Sequence, residues 1–367
     1  MGYNNDIGMW VMKLEVFNHN GYVIMIVAFL ISALLVPVAK KIALHIGAVD
    51  KPNKRRVNKV TMPTQGGLAI FASFVLCFML FGGLNVQMLS ILIGSIILIL
   101  VGIIDGIKPV SAKYQMIAHV LAACTVVFYG KIYLTEVSLP GLSFIMPSPF
   151  NYIISILFIV ATISAINLID GLDGLCAGVS SIYFLTIAII AVSINMLGGL
   201  DVILSIIMFG ATLGFLFHNF PPAKIYLGNT GSMFLGYIIS VIALLGFKVT
   251  TITSLIIPII ILAIPIFDTA LAILRRFLNG KKISEPDKEH FHHQLLKMKF
   301  STRTSVLIIY AINIVFAIVS ILFALGNSQL AIFLYVLVML LLLFIVLKTD
   351  ILFTHNKDKG KNNEKNN

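Results

Sequence analysis

Apolar segments long enough to span a lipid bilayer recur along most of this chain, and they limit its folding more than any other feature. Of the 367 residues, 59% are hydrophobic and only 11% are charged, whereas soluble domains carry about 25% charged residues. The mean hydropathy of +1.02 points the same way. Because a chain inside a bilayer must satisfy its own backbone hydrogen bonds, we predict an all-α polytopic membrane protein.

A membrane-spanning helix needs about 20 consecutive apolar residues, and eleven segments meet that requirement approximately. They cover residues 21–39, 66–84, 86–104, 115–132, 151–168, 175–197, 201–218, 232–247, 251–273, 304–325 and 328–347. We expect residues 1–348 to form a single transmembrane domain with functional loops on the cytoplasmic face. The tail, 349–367, is rich in Lys and Asn, and we expect it to be disordered and cytoplasmic.

The distribution of positive charge predicts the orientation of the chain. With eleven crossings, the loops on one side contain 23 of the 26 Lys and Arg residues, and the other side keeps only Lys13, Lys131 and Lys248. Because cytoplasmic loops carry the excess of Lys and Arg, we expect the N-terminus outside and the C-terminus in the cytoplasm. The net charge of +11 then reflects this bias and attraction for anionic lipid or phosphorylated substrates, and we expect no nucleic-acid partner.

A polar cluster follows one of the apolar segments. The stretch Ala165–Leu175 reads AINLIDGLDGL, so Asp170 and Asp173 are three residues apart and Asn167 lies three residues before the first. On a helix, this spacing puts the three side chains on about one face. Carboxylates at the edge of a membrane are costly and usually functional, although a solvated turn with a capping Asp would also fit the pattern.

Two further polar segments precede this cluster on the same predicted side. Val49–Gly67 is basic, and its Lys51 and Arg55 suit phosphates or lipid headgroups, unless they are ordinary cytoplasmic charge. Asp105 ends an apolar span and is followed by Lys113. A carboxylate there suits metal binding or proton abstraction, or it closes a helical turn.

Another polar segment, His218–Tyr237, contains Asn219 and the loop Gly228–Ser232. Backbone N–H groups at a helix N-terminus favour an anion there, and a Gly-rich turn capped by Ser or Thr is the alternative. Asp268 lies within the ninth apolar segment, two turns before Arg275. An intramembrane Asp is either functional or paired with an arginine.

The last polar segment, Glu285–Lys297, concentrates His290, His292 and His293. These histidines suit contact with substrate better than a closed zinc site, which usually includes thiolates or more widely spaced histidines. All five polar segments fall on one predicted side. That distribution favours an active site at the membrane boundary over a transporter, whose polar groups lie near the bilayer midplane.

Three motifs, NLIDGLDGL, FPPAKIYLGNTGS and HFHHQLL, occur in this order within the region from about Val49 to Arg303. This region resembles the polyprenyl-phosphate N-acetylhexosamine-1-phosphate transferases, and the HxHH form is more similar to their GlcNAc-1-phosphate branch. The resemblance implies a Mg²⁺-dependent enzyme of the bacterial plasma membrane. Its reaction would transfer GlcNAc-1-phosphate from UDP-GlcNAc to undecaprenyl phosphate, release UMP and start a cell-wall polymer such as teichoic acid.

The resemblance also implies roles for individual residues. Asp105 would position or deprotonate the lipid phosphate, with Asp170 and Asp173 as further catalytic residues. Asn167, Asn229 and Asp170 would hold Mg²⁺, with Mn²⁺ as an alternative ion. Phosphates and sugar would be bound by the remaining candidates, which are Lys51, Arg55, Lys113, Asn219, Arg275, His290, His292 and His293. The expected partners are the two substrates, the lipid bilayer and, as an option, a second copy of the chain.

The chain departs from the pattern of the family it resembles at four positions. Gly106 and Asn229 stand where the family usually has Asp, Asn58 where it commonly has His, and Gln115 where it often has Lys. An amide is a weaker ligand for Mg²⁺ than a carboxylate. Two alternatives to the enzyme therefore stay open: a catalytically impaired paralogue that binds lipid phosphate or nucleotide sugar, and a membrane transporter.

Overall fold

The structure is a computed structural model that describes residues 15–16, 19–50, 61–139, 142–194, 197–246, 256–278 and 290–348. Most of these residues are helical, and the expected all-α polytopic class is confirmed. Some of the residues discussed above lie outside the described ranges, as does the tail 349–367; they are Lys13, Lys51, Arg55, Asn58 and Lys248.

The helices of the described part follow the apolar segments. They are α1 (Gly21–His45), α2 (Gly67–Phe81), α3 (Val86–Ile107), α4 (Ala112–Cys124), α5 (Phe150–Ile169), α6 (Leu175–Ser193), α7 (Leu200–Asn219), α8 (Gly228–Gly246), α9 (Ile256–Ile261), α10 (Ala263–Leu278), α11 (Phe291–Lys297), α12 (Thr302–Ala324) and α13 (Ser328–Lys348). A five-residue π-helical turn, Thr125–Tyr129, continues α4.

Short antiparallel strand pairs form part of the connections between helices. They are β1 (Glu15–Val16) with β2 (His19–Asn20), β3 (Val49–Asp50) with β4 (Met62–Pro63), and β5 (Glu136–Leu139) with β6 (Leu142–Ile145). In the second pair, Val49 lies opposite Pro63. This pair closes the ends of the basic segment that follows α1.

Seven of the described helices, α1, α3, α5, α6, α7, α8 and α12, are long and apolar enough to cross a membrane. Shorter apolar helical stretches occur at Gly67–Phe81, Ala263–Ile273 and Ser328–Phe344. Together with α4 and its π-helical turn, a helix lies in each of the eleven predicted segments. The multi-pass class is thus confirmed, whereas the number of crossings and the orientation of the termini stay predictions.

Helix α8 lies at the centre of the bundle. In an apolar stretch of 18 residues, α8 has 89% of its residues buried inside the protein, whereas the corresponding share for α1 is 28%. It packs against α2, α3, α5, α6 and α7. The outer helices expose large apolar side chains such as Leu34, which is 73% exposed. A polar solvent would make such exposure costly, whereas lipid would not.

Helices α1 and α7 approach each other closely because α7 carries Gly210 and Gly214, four residues apart. A Cβ atom on Gly210 would overlap the carbonyl oxygen of Met25, and one on Gly214 would overlap the carbonyl oxygen of Phe29. Small residues at this spacing allow helix backbones to pack in membranes. One turn beyond Gly214, the Nε2 atom of His218 lies 3.1 Å from the carbonyl oxygen of Ala33.

The helix ends that carry the polar segments meet at one end of the bundle. Residues at or next to the C-terminal ends of α1, α3, α5 and α7 line one cavity, together with residues at or next to the N-terminal ends of α2, α6, α8 and α12. Successive helices therefore alternate in direction around this cavity. The alternation brings loops that are far apart in sequence into contact.

We expect the close packing of α1 and α7 to make Gly214 sensitive to substitution. Gly214→Leu should lower the Tm of the detergent-solubilised protein, because overpacking costs about 1–3 kcal/mol. The matched control is Leu213→Ile, since Leu213 is 37% exposed on the outer face, and it should change Tm less. Equal shifts for the two variants would contradict the backbone contact between the helices.

Candidate active site

A cavity of about 670 Å³ opens where these helix ends meet. Parts of all five predicted polar segments line it, including Asp50, Thr64, Asp105, Gly106, Asp170, Gly171, Asp173, Asn219, Tyr226, Gly228, Asn229, His293 and Thr302. The structure thus brings together six of the predicted site residues, which are Asp105, Asp170, Asp173, Asn219, Asn229 and His293. Asn167, Lys113, Arg275, His290 and His292 do not line this cavity.

Asp170 lies directly after the last residue of α5, Ile169, at the cavity wall. Its side chain is half-buried and accepts no hydrogen bond from the described residues. Burial, followed by the nearby charge of Asp173, raises the pKa of Asp170 to about 7. A carboxyl group with such a pKa exchanges its proton near neutral pH, and its oxygens are available to a cation or a substrate proton.

Asp173 is tied to the loop that follows α7. Its Oδ2 atom accepts a hydrogen bond from the backbone N–H of Ala223 (2.9 Å). Asn219, the last residue of α7, accepts from the N–H of Gly174 (2.9 Å) and donates to the carbonyl oxygen of Ile225 (2.8 Å). Both ends of the Asn219 amide therefore bind backbone, so the side chain fixes the shape of the cavity wall.

Gly174 ends the turn that carries the two aspartates, and its φ of +76° lies in the left-handed region. This conformation favours glycine. The hydroxyl of Tyr310, on α12, donates to the carbonyl oxygen of Gly174 at 2.5 Å. Together with Asn219, Tyr310 thus fixes both peptide groups of this residue.

Asp105, near the end of α3, accepts hydrogen bonds from three neutral donors. Its Oδ1 atom accepts from the N–H of Val110 (2.7 Å) and from Nε2 of Gln115 (3.1 Å), and its Oδ2 atom accepts from Nδ2 of Asn229 (2.7 Å). Gln115 and Asn229 are two of the positions where the chain departs from the pattern it resembles. Both departures therefore supply a donor to the same carboxylate, a link that sequence spacing does not show.

Asn167 lies one turn before Asp170 and faces the start of α8. Its Oδ1 atom accepts a hydrogen bond from the hydroxyl of Ser232 (2.6 Å). Of the three predicted metal ligands, Asp170 and Asn229 line the cavity and Asn167 does not. The contact to Ser232 instead joins α5 to the central helix.

The three histidines form a stack at the cavity wall, in which His290 and His292 are buried and His293 lines the cavity. On α10, Asp268 accepts hydrogen bonds from Nδ1 of His290 (2.9 Å) and from the N–H of Phe291 (2.8 Å). The rings of His290 and His292 are parallel with centroids 5.8 Å apart, and the ring of His293 lies 4.3 Å from that of His292. Sequence reasoning singled out Asp268 but did not link it to His290.

His292 packs against the turn that carries the two aspartates. It is only 2% exposed, and a Cβ atom on Gly171 would overlap its Nε2 atom. Burial, with a smaller effect of His293, lowers the pKa of His292 to about 3, so the ring is neutral at physiological pH. The glycine between Asp170 and Leu172 therefore makes room for an imidazole.

Lys113 and Arg275 lie apart from the cavity lining. Lys113 is exposed in the first turn of α4. Arg275 is 6% exposed in the last turn of α10, where it has polar interactions of its own. Sequence reasoning did not single out Asp50, Tyr226 or Thr302, which line the cavity. Asp50 is a carboxylate within the basic segment Val49–Gly67, and that signal was available in the sequence.

The donor set fits a hard divalent cation. Among the described residues, no group of three or more His, Cys, Asp or Glu side chains is arranged to hold a metal by itself. However, Mg²⁺ is commonly held by one or two carboxylates, with phosphates and water completing its shell. The available oxygens of Asp170, together with the amide oxygen of Asn229 in the same cavity, match that requirement.

The fold and the cavity define a multi-pass membrane protein with a polar site at the end of its bundle, and comparisons with known proteins narrow this class. Residues 88–247 match Glycosyl transferase family 4. The chain is 44% identical over 324 residues to the "Probable undecaprenyl-phosphate N-acetylglucosaminyl 1-phosphate transferase" of Bacillus subtilis, covering 84% of this chain and 87% of that protein.

More distant relatives carry related names. The decaprenyl-phosphate N-acetylglucosaminephosphotransferase of Mycobacterium tuberculosis is 30% identical over 300 residues, with 74% of each chain covered. The undecaprenyl-phosphate alpha-N-acetylglucosaminyl 1-phosphate transferase of Escherichia coli is 27% identical, with 77% of this chain and 78% of that one covered. The chain belongs to the family of polyprenyl-phosphate N-acetylhexosamine-1-phosphate transferases.

We expect Gly171→Ala to disturb the contact between the turn and the histidine stack. The added methyl group should displace His292, lower Tm and reduce activity, whereas Gly198→Ala, where a Cβ atom meets nothing within 4 Å, should change neither. Combining Gly171→Ala with His292→Ala should lower Tm by less than the sum of the two single changes. Additive losses, measured by thermal unfolding in detergent, would show that the two residues do not touch.

A second prediction concerns the hydrogen bond between Asn229 and Asp105. Asn229→Asp places two carboxylates at this contact, and like charges that share a site repel each other. Tm at pH 8 should therefore fall without divalent cations and recover as Mg²⁺ is added, because a bound ion stabilises the folded state. Asn229→Ala, which removes the bond without adding charge, should show no such recovery. A Tm of Asn229→Asp that does not respond to Mg²⁺ would exclude position 229 from a cation site.

Proposed function

We propose that this protein transfers GlcNAc-1-phosphate from UDP-GlcNAc to undecaprenyl phosphate and releases UMP. The observation that carries the proposal is the cavity at the bundle end, which presents Asp105, Asp170 and Asp173 together. The 44% identical relative from Bacillus subtilis, named for this kind of reaction, supports it. The product would be the lipid-linked precursor of a surface polymer such as teichoic acid in a bacterial plasma membrane.

The position of the cavity suits two substrates of different solubility. Undecaprenyl phosphate stays in the bilayer, whereas UDP-GlcNAc is water-soluble. A site at the end of a membrane bundle is reached by the first from between the helices and by the second from the aqueous side. A transporter would instead need polar groups near the middle of its spans.

In the reaction, an oxygen of the lipid phosphate attacks the sugar-linked phosphorus of UDP-GlcNAc. A new phosphorus–oxygen bond forms, the bond between that phosphorus and the bridging oxygen breaks, and UMP leaves. Catalysis of such transfers rests mainly on positioning and charge stabilisation. Mg²⁺, or Mn²⁺ in its place, would neutralise diphosphate charge when bound, held by Asp170 and Asn229 with Asn167 behind them.

The contacts divide the work among the three aspartates. Because Asp105 already accepts three hydrogen bonds, we assign it to positioning the lipid phosphate. Asp170, with its raised pKa, takes a proton or holds the cation. Asp173 fixes the loop after α7 and adds negative charge to the cation site. Phosphate and sugar contacts fall to His293, which lines the cavity, with Lys51 and Arg55 of the basic segment as further candidates.

The orientation of the chain is also part of the proposal. The charge distribution supports eleven crossings, an external N-terminus and a cytoplasmic C-terminus. The cavity would then face the cytoplasm, which is where nucleotide sugars are made. A homodimer is compatible with this arrangement.

Release of UMP from purified protein in lipid-containing detergent tests the reaction. Asp173→Asn should reduce the rate by at least about a hundredfold, in the range typical of lost acid–base or charge stabilisation, while Tm stays close to that of the parent. An Asn oxygen can still accept from Ala223, so the loop contact persists and only the charge is lost. The matched control is Asp201→Asn, at the opposite end of α7, and it should keep most of the activity.

The two alternatives give other results in the same preparation. Binding of UDP-GlcNAc or lipid phosphate without UMP release would indicate the impaired paralogue. Neither binding nor release, together with flux of a solute into proteoliposomes, would indicate a transporter. Loss of folded protein in Asp173→Asn and Asp173→Ala alike would make this aspartate structural and contradict its assigned role.

Cysteine labelling in intact cells tests the orientation. In a background without the three native cysteines, Thr135→Cys should react with a membrane-impermeant maleimide added from outside. Ser284→Cys, which lies outside the described residues, should react only after the membrane is permeabilised. The reverse pattern would overturn the proposed topology.

A further inference from the structure

We infer that Gln65 is a positioning residue, which holds Asp105 and Asn229 in contact and requires glycine at position 106 in order to do so. The assignment of a catalytic consequence rests on the proposed function. The geometry of the contact does not, and it can be tested separately. Gln65 is not part of the cavity lining, and neither the motifs nor the resemblance pointed to it.

The backbone around Gln65 is fixed against the segment that leads into α8. The N–H of Tyr226 donates to the carbonyl oxygen of Pro63 (2.9 Å), the N–H of Gly66 donates to that of Tyr226 (2.9 Å), and the N–H of Gly67 donates to that of Leu227 (3.0 Å). Three hydrogen bonds within five residues leave the segment Pro63–Gly67 little freedom. The Gln65 side chain therefore starts from a defined position.

The amide of Gln65 links α3 and α8 inside the protein. The residue is 0% exposed. Its Oε1 atom accepts a hydrogen bond from the hydroxyl of Thr230 (2.6 Å), and its Nε2 atom donates to the carbonyl oxygen of Gly102 (3.4 Å). Because a buried amide without partners is costly, these contacts hold both the side chain and the two helices.

The residue that Gln65 contacts on each helix lies close to one partner of the Asp105–Asn229 hydrogen bond. Thr230 directly follows Asn229, and Gly102 lies one turn before Asp105. The backbones also touch at this point, since a Cβ atom on Gly102 would lie 2.5 Å from Cα of Thr230. The 2.7 Å bond between Asn229 and Asp105 is therefore set by a junction that Gln65 completes.

Gly106 belongs to the same junction. A Cβ atom at this position would overlap Nε2 of Gln65 and lie 3.3 Å from its Cδ atom. Nε2 is the end of a side chain that could otherwise turn away. Here, however, the amide is buried and bonded at both ends, so turning away would break its contacts with Thr230 and Gly102. Gln65 can therefore keep its observed conformation only if residue 106 has no side chain.

Thermal unfolding of the full chain in detergent tests the steric part. Gly106→Ala should lower Tm in the parent, and the loss should be at most about half as large when Gln65→Ala is also present, because neighbouring sites couple. Gly83→Ala, where a Cβ atom meets nothing within 4 Å, is the matched glycine control and should change little in either background. Additive effects of Gly106→Ala and Gln65→Ala would overturn the inference.

A second double-mutant cycle tests whether Gln65 positions Asn229, a residue that it does not itself contact. The Tm loss of Asn229→Ala should be smaller in Gln65→Leu than in the parent, since Gln65→Leu already loosens the bond that Asn229 makes. The control is Ser95→Ala, a buried residue of α3 whose hydroxyl bonds only its own helix, at Ile91, and it should not couple to Asn229→Ala. Equal coupling for Gln65 and Ser95 would contradict a specific role for the glutamine.

UMP release supplies the catalytic readout. In Gln65→Leu, kcat should fall at least about tenfold while the KM for UDP-GlcNAc changes less than about threefold, as expected when transition-state geometry is lost and ground-state binding is kept. Unchanged kcat in the folded variant would overturn the catalytic role. If the parent itself releases no UMP, the proposed function fails, and the two Tm cycles still decide whether Gln65 holds this junction.

Discussion

Backbone contact between the start of α8 and the helices around it determines the geometry of the site. Glycines at positions 67, 102 and 231 let the N-terminus of α8 touch both α2 and α3, since a side chain at 67 would overlap the backbone of Gly231 and one at 102 would meet Thr230. In lipid there is no hydrophobic force between helices, and close packing and hydrogen bonds must hold them. Direct backbone contact therefore holds the cavity wall together where Asp105 and Asn229 meet.

The electrostatics of the cavity follow from how each carboxylate is hydrogen-bonded. Asp105 is surrounded by neutral donors, so its charge is stabilised without a cation. Asp170 has no such donors among the described residues, and burial beside Asp173 raises its pKa to about 7. The oxygens of Asp105 therefore already have hydrogen-bond donors within the protein. Those of Asp170 are available to a bound ion.

Composition and motif spacing were sufficient to predict the class of fold and the convergence of the polar segments. Long apolar runs dictate helices, and a strict alternation of crossings places every second loop at the same end. The partners of individual side chains could not be predicted in this way. Nothing in the spacing of Asp268 and His290, or of Asn219 and Gly174, indicates their contact, because both depend on how helices pack in three dimensions. Asn219 is an example: it lines the cavity, but both ends of its amide form hydrogen bonds with backbone groups.

The overlap between Gln65 and a side chain at position 106 has a consequence for how such a sequence changes over time. The two positions are 41 residues apart in the chain, yet the overlap predicts that substitutions at them are epistatic. We therefore expect a residue larger than glycine to be tolerated at position 106 only when position 65 carries a side chain smaller than glutamine. The order of replacement is therefore constrained: Gln65 is expected to be replaced before Gly106.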